Sequence, residues 1–168
     1  MSKAIYCGSF APFHLGHLNI LEKAERLFDE VLLVVAQNPN KPRFHTSTKA
    51  IENDLKSHTV SNVKVVTLPE RTLLVDFAQE NMVGFLVRGI RGVKDADAEF
   101  EMADINRELS GFDTIETVFI LSHHVYRNIS SSVIRSLVGM KGMEGMEEIV
   151  NNYLPEHSAE EFIKGNSK

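Results

Sequence analysis

The sequence predicts an α/β fold: a doubly wound parallel sheet of five strands. Three observations point there. Short runs of branched apolar residues recur five times. Longer stretches with apolar residues at helical spacing lie between them. Nothing resembling an internal repeat or a low-complexity linker divides the chain. Alternation of this kind argues for parallel strands covered by helices on both faces. At 168 residues the chain has the length of one domain with one proper core, so residues 1–168 are expected to form a single unit.

The strands are expected at Ala4–Cys7, Val31–Ala36, Val63–Val66, Phe85–Val87 and Thr117–Leu121. Each run is short and apolar on both sides, the mark of a strand buried on two faces. The first helix is expected to carry Leu18, Leu21, Ala24, Leu27 and Phe28 on one face. A second lies around Asn53 and Leu55. A short third contains Leu73, Leu74, Phe77 and Ala78. A fourth is suggested by Phe100, Ala103, Ile105, Asn106 and Leu109. The stretch Gly139 to Met146 holds three glycines and is expected to be a loop, with its methionines as gap-fillers. Pro155 suits the first residue of a C-terminal helix over about 155–164, and residues from Gly165 onward are expected to fray.

Composition narrows the function. Hydrophobic residues make up 43% and charged residues 24%, ordinary values for a globular chain. Eighteen Lys and Arg against 23 Asp and Glu leave a formal charge of −5, which disfavours binding to long nucleic acid. No apolar run is long enough to span a bilayer, and no signal peptide is visible at the start. One cysteine excludes a disulfide scaffold and fits a cytoplasmic protein.

Ligands of open parallel sheets bind beyond the carboxyl ends of the strands, so the segments after each strand carry the chemistry. Gly8 to His17 follows the first, with Ser9, Phe10, His14 and His17; Asn38 to Arg43 follows the second, with Lys41. Arg88 to Gly92 follows the fourth, and Ser122 to Ser132 follows the fifth. Cations, imidazoles and hydroxyls gather at these ends of an acidic chain, the composition of a focused polyanion pocket. His14 and His17 stand three apart at a helix start, where free N–H groups and the helix dipole favour phosphate. Ser130, Ser131 and Ser132 open a second such helix, although a serine there is commonly an ordinary cap. Arg88 and Arg91 suit bidentate phosphate contacts, or equally ion pairs with Asp95 or Asp97. A zinc site built from His14, His17, His123 and His124 lacks an acidic or thiol partner at suitable spacing.

Together these residues resemble a known family. Gly8-Ser9-Phe10 with Pro12 and His14-Leu15-Gly16-His17 resembles the H-x-G-H signature of the nucleotidyltransferase superfamily. Ile129-Ser130-Ser131-Ser132 resembles its second signature. Several further segments resemble the bacterial phosphopantetheine adenylyltransferases: Arg88-Gly89-Ile90-Arg91, Glu99-Phe100-Glu101-Met102, Asn106, Asn38 to Lys41, and Leu74 to Ala78. The likeness runs from about Ala4 to Pro155.

The resemblance implies a Rossmann-like nucleotidyltransferase fold and transfer of the adenylyl group of ATP to 4'-phosphopantetheine, giving dephospho-coenzyme A and pyrophosphate. It implies catalytic roles for His17 and Lys41. ATP would be held by Ser9, Phe10, His14, His17, Gly89, Ile90, Arg91, Glu101, Tyr126, Arg127, Asn128, Ile129, Ser130, Ser131 and Ser132. The acceptor would be held by Ser9, Lys41, Leu74 and Arg88. It also implies magnesium with the ATP, coenzyme A as a feedback ligand, and a homohexamer. Three departures stand out: His14 where the family usually has Thr, Ala11 where it has Asp, and two extra residues around Asp95 to Ala98, which leave Glu99 as the alternative to Glu101. His14 gives some support to another acceptor, a nicotinate or nicotinamide mononucleotide or a glycerol phosphate. A non-catalytic nucleotide-binding regulator would fit the fold but not the intact polar groups.

Overall fold

The computed structural model describes residues 1–36, 46–111 and 114–166, without the side chains of residues 94 and 141–144. Five strands form one sheet: β1 (Lys3–Gly8), β2 (Glu30–Val35), β3 (Val63–Thr67), β4 (Phe85–Ile90) and β5 (Glu116–Leu121). Their order is β3-β2-β1-β4-β5, and every neighbouring pair is parallel. The helices are α1 (Leu15–Ala24), α2 (Thr48–Ser57), α3 (Leu74–Glu80), α4 (Val93–Leu109), α5 (Ser131–Tyr153) and α6 (Glu156–Asn166), with a short 3-10 turn at His124–Tyr126. This is the doubly wound sheet the sequence predicts. The chain winds outward from β1 to β3, then returns to β4 on the other side of β1, so the topological switch lies between β1 and β4.

Strand alternation divides the core. Ala4, Tyr6, Val31, Leu33, Val35 and Val87 point to one face, where Leu18, Leu21 and Ala24 of α1 and Ile51 and Leu55 of α2 cover them. Ile5, Leu32, Val34 and Leu86 point to the other, under Val75 and Ala78 of α3. A third cluster joins α5 to α6 through Ile134, Met146, Val150, Leu154, Ala159 and Phe162.

Several boundaries differ from expectation. β4 continues through Arg88, Gly89 and Ile90, because the ladder to β5 extends to Arg88↔Phe119, Gly89↔Ile120 and Ile90↔Leu121. α1 ends before Leu27, which is 59% exposed, while Phe28 is buried. The expected fourth helix is α4, starting at Val93; its Phe100, Ile105 and Leu109 are about half exposed, and Asn106 is buried. Gly139 to Met146 is not a loop but part of the 23-residue α5. Packing decides this: Ile134, Met146 and Val150 seat α5 against α6, which outweighs a propensity cost of about 1 kcal/mol per glycine. Pro155 precedes α6, its carbonyl accepting from the Ala159 N–H, and the helix runs on through Gly165 to Asn166.

Candidate active site

A cleft of about 250 Å³ opens beyond the carboxyl ends of β1 and β4, at the topological switch. Its wall carries Gly8, Phe10, His14 and His17 from the β1–α1 side. Arg88, Gly89, Arg91 and Glu99 come from the β4–α4 side, and Ile129 to Ser132 from the start of α5. The cleft is open to solvent and lined by both polar and apolar groups, as a small-molecule site commonly is.

The β1–α1 loop is held from three directions. The Thr46 N–H donates to the Phe10 carbonyl, and the Phe13 N–H donates to Thr46 Oγ1. Ser131 Oγ donates to the Pro12 carbonyl at 2.9 Å, and Arg135 Nη1 to the Ala11 carbonyl at 2.5 Å. Glycines set the close approaches. A Cβ on Gly16 would lie 3.0 Å from Cε1 and Nδ1 of His14, and one on Gly89 would lie 2.9 Å from Cγ1 of Ile20. Phe10 adopts a φ of 43°, in the left-handed region that a bulky residue occupies only when its surroundings hold it there.

His17 is set among rings. His14 stacks on it with centroids 3.6 Å apart, Phe13 lies nearly parallel at 5.6 Å, and Phe10 meets it edge-on at 5.0 Å. The His14 backbone N–H donates to Nδ1 of His17 at 3.2 Å. An Nδ1 that accepts leaves the ring proton of neutral His17 on Nε2. Burial depresses the pKa of both histidines, with a smaller push from Arg91; His14 falls to about 3 and His17 goes well below the usual histidine value. At neutral pH His17 is therefore an uncharged N–H donor, not an imidazolium. Burial also raises the Tyr6 phenol, and it lifts the Cys7 thiol to about 11, which keeps that sulfur inert.

The opposite wall is ionic. Arg88 Nε donates to Glu99 Oε2 at 2.5 Å, and its Nη1 reaches the Cys7 carbonyl at 3.5 Å. Arg91 grips Asp95 through two bonds of 2.7 and 3.0 Å and donates to the Ile129 carbonyl at 3.3 Å. Both arginines thus face the cleft already engaged by carboxylates of α4.

The structure sorts the residues expected in the site. His14, His17, Phe10, Arg88, Gly89, Arg91 and Ile129 to Ser132 come together on the cleft wall. Phe10 and His14 do so with only 2% and 5% of their surfaces exposed. Ser9 sits between two wall residues and is half-buried. Ile90 ends β4, where its carbonyl accepts from the Ser122 N–H. Ser130 is the ordinary cap of α5, accepting from the Val133 N–H, and this leaves the Ser131 and Ser132 N–H groups of the first turn for a ligand. Tyr126 packs beside Gly16, whereas Arg127 and Asn128 are exposed near the mouth.

Two of the expected residues stand outside the cleft lining. Glu101 is exposed on α4 outside the cleft; Glu99, two residues earlier and half a turn round, is the glutamate on the wall. Leu74 opens α3 and packs on the second core cluster, away from the cleft lining. Lys41 and its neighbours Asn38 to Arg43 lie outside the described residues. Sequence reasoning missed Tyr6, Thr46 and Arg135. The helical spacing of Ser131 and Arg135 was a signal for the last of these.

The sequence pattern of the cytidylyltransferase-like family matches residues 5–137. Phosphopantetheine adenylyltransferase of Symbiobacterium thermophilum is 40% identical over 139 residues, 82% of this chain and 83% of that protein. The chain belongs to this family. The Heliobacterium modesticaldum phosphopantetheine adenylyltransferase is 38% identical, covering 92% of this chain and 87% of the relative. Among solved structures, nicotinic acid mononucleotide adenylyltransferase of Plasmodium falciparum, complexed with NaAD, superposes with a TM-score of 0.64. It is 17% identical and is matched over 98% of this chain and 96% of that one, a likeness of fold. The members named here are adenylyltransferases, and the chain is accordingly a nucleotidyltransferase enzyme.

Proposed function

We propose that the protein transfers the adenylyl group of ATP to 4'-phosphopantetheine, giving dephospho-coenzyme A and pyrophosphate. The observation that carries this reading is sustained identity to phosphopantetheine adenylyltransferases across nearly the whole chain, joined to a cleft at the switch point lined by histidines, arginines and a helix start. An oxygen of the acceptor phosphate attacks the α-phosphorus of ATP; the new P–O bond forms as the bond to the β,γ-diphosphate breaks, and pyrophosphate leaves. Such a reaction needs positioning and charge stabilisation more than covalent chemistry. His17 donates its Nε2 proton as a hydrogen bond to the α-phosphate as charge gathers there. The first turn of α5, Gly89 and Arg91 hold the ATP phosphates, with Ser9, Phe10, Ile90 and Tyr126 to Asn128 around the nucleotide. Arg88 and Lys41 hold the acceptor phosphate, Leu74, outside the cleft lining, meets the pantetheine arm, and Glu101, with Glu99 as the alternative, accepts from the nucleotide.

Among the described residues no three His, Cys, Asp or Glu side chains converge as a metal cage. The cleft carboxylate Glu99 is tied to Arg88, and Asp95 to Arg91. Magnesium belongs to this proposal with the ATP phosphates. Coenzyme A, which shares the pantetheine arm, would compete for the acceptor side. Use of ATP and a single cysteine support a cytoplasmic setting. The half-exposed apolar residues of α4 and Leu121 of β5 support self-association, and the family resemblance makes that assembly a homohexamer. A monomer by native mass spectrometry at micromolar concentration would refute that assembly.

The decisive experiment measures pyrophosphate release from magnesium ATP with 4'-phosphopantetheine, with nicotinamide mononucleotide, and from CTP with glycerol 3-phosphate. Release with 4'-phosphopantetheine alone is expected. Release with another pair would keep the chemistry and move the acceptor.

A further inference from the structure

We propose that Thr46 is a positioning residue for the transfer: it bridges the turn from Phe10 to Phe13 and so fixes the two phenyl rings against which His17 is set. The proposal rests on the adenylyl-transfer reading above. Four observations carry it. Thr46 grips the turn at both ends, its N–H donating to the Phe10 carbonyl at 3.1 Å and its Oγ1 accepting from the Phe13 N–H at 2.9 Å. The residues it grips are the ones packed on His17: Phe10 edge-on at 5.0 Å and Phe13 nearly parallel at 5.6 Å, with the two phenyl rings 5.7 Å from each other. Phe10 holds its φ of 43° only because its surroundings over-determine it, and the bond to its carbonyl is one of those restraints. Thr46 is itself 5% exposed and stands outside the cleft lining, so replacing it takes no group from the wall.

Thr46 serves as a fixed point because the residue after it is anchored twice. Ser47 caps α2 by accepting from the Ala50 N–H, and its own N–H and hydroxyl donate to Glu161 of α6 at 3.2 and 2.8 Å. The return contact runs from α2 to α6. Asp54, 1% exposed, accepts from the His157 and Ser158 N–H groups at 2.8 and 3.0 Å and from the Ser158 hydroxyl. Each helix thus has its N-terminus held by a carboxylate of the other, which satisfies unpaired N–H groups and suits the helix dipole. The C-terminal helix sets where Thr46 stands, and Thr46 sets where the rings beside His17 stand.

Thr46→Val keeps the shape of the side chain and removes the acceptor; Thr46→Ser keeps the acceptor and removes a methyl group. We expect Thr46→Val to lower kcat roughly 10- to 100-fold, the scale of a small misplacement of a catalytic group. The KM values for ATP and 4'-phosphopantetheine should change less than about twofold, the mark of an effect confined to the transition state. Thr46→Ser should stay within about threefold of the parent kcat. Asn62→Ala, which removes two bonds to the Glu25 and Phe28 carbonyls away from the cleft, should lower the unfolding temperature and leave kcat unchanged. In the ligand-free protein, NMR should show the Phe13 amide protected from exchange in the parent and in Thr46→Ser, and exchanging faster in Thr46→Val. Parent-like kcat in Thr46→Val would overturn the proposal. So would a raised KM at unchanged kcat, a Thr46→Ser variant as slow as Thr46→Val, or an equal loss of kcat in Asn62→Ala, which would make the effect one of general loosening. Should Thr46→Val fail to fold, Thr46→Ala carries the same expectations, and fast exchange of the Phe13 amide in the parent would overturn the proposal without any variant. If the parent turned over none of the substrate pairs, the transfer reading would fail, and the exchange comparison would still decide whether Thr46 holds the turn.

Discussion

The two walls of the cleft are built on opposite principles. On the β1–α1 side, His17 is packed dry among Phe10, Phe13 and His14 and carries no charge at neutral pH. On the β4–α4 side, Arg88 and Arg91 are charged, partly exposed and paired with Glu99 and Asp95. Ring packing offers one arrangement, because close-packed interiors resist small displacements. Ion pairs of that exposure are exchangeable, each worth about 0–1 kcal/mol after solvent screening. The first wall is suited to a donor that must be in place when charge develops; the second is suited to ligands that arrive and leave, whose phosphates can take over from the carboxylates.

The contrast can be broken most forcefully at His17. His17→Ala should reduce kcat by about 10²–10³, the cost of losing one preorganised donor, and leave the calorimetric affinity for ATP within a few-fold. Equal loss of affinity and turnover would make the dry wall a binding surface instead. Next in size, Gly16→Ala would press a Cβ onto the His14 ring, so overpacking should cost about 1–3 kcal/mol in denaturant unfolding, with a drop in kcat.

Acid should act on the dry wall before the ionic one. In the folded protein His14 stays neutral down to about 3, while in the unfolded chain it takes up a proton near 6.5. Within that window the unfolded chain binds more protons. Stability should therefore fall as pH falls, by up to about 1.4 kcal/mol per pH unit for each of the two histidines. Thermal unfolding from pH 7 to pH 4 would show it, and His14→Phe should flatten the slope. The smallest expected effect belongs to the ionic wall: Glu99→Gln should lower the acceptor KM roughly two- to fivefold by releasing Arg88, the scale of one partly exposed pair. A rise in that KM would mean that Glu99 orients Arg88 for the ligand.

The same contrast governs what could be read in the sequence. The inner strands were visible because a doubly covered strand must be apolar throughout, and Val31 to Val35 can be little else; the edge strands β3 and β5, only partly buried, showed through their short branched runs. The histidine loop and the serine start of α5 were legible because helix termini have few chemical solutions. The partners of the arginines were not. Which of Glu99 and Glu101 meets Arg88 depends on the rotational phase of α4, which the two extra residues near Asp95 shift and which no apolar stripe betrays, since its large apolar residues face outward. The continuity of α5 through three glycines was hidden for a similar reason: it rests on contacts with Ala159 and Phe162 of the following helix, which the sequence around Gly139 to Met146 does not announce.

The stays on the histidine loop also set an order of events during synthesis. β1 and α1 emerge first, yet the residues that tie down Ala11 and Pro12, Arg135 and Ser131, lie 124 and 119 positions further along the chain. At the usual ~5–20 residues per second of translation, the loop waits about 6–25 seconds for its anchors. A nascent chain cut off after α4 would hold both arginines and both histidines, and would still lack the brackets that turn them into a site.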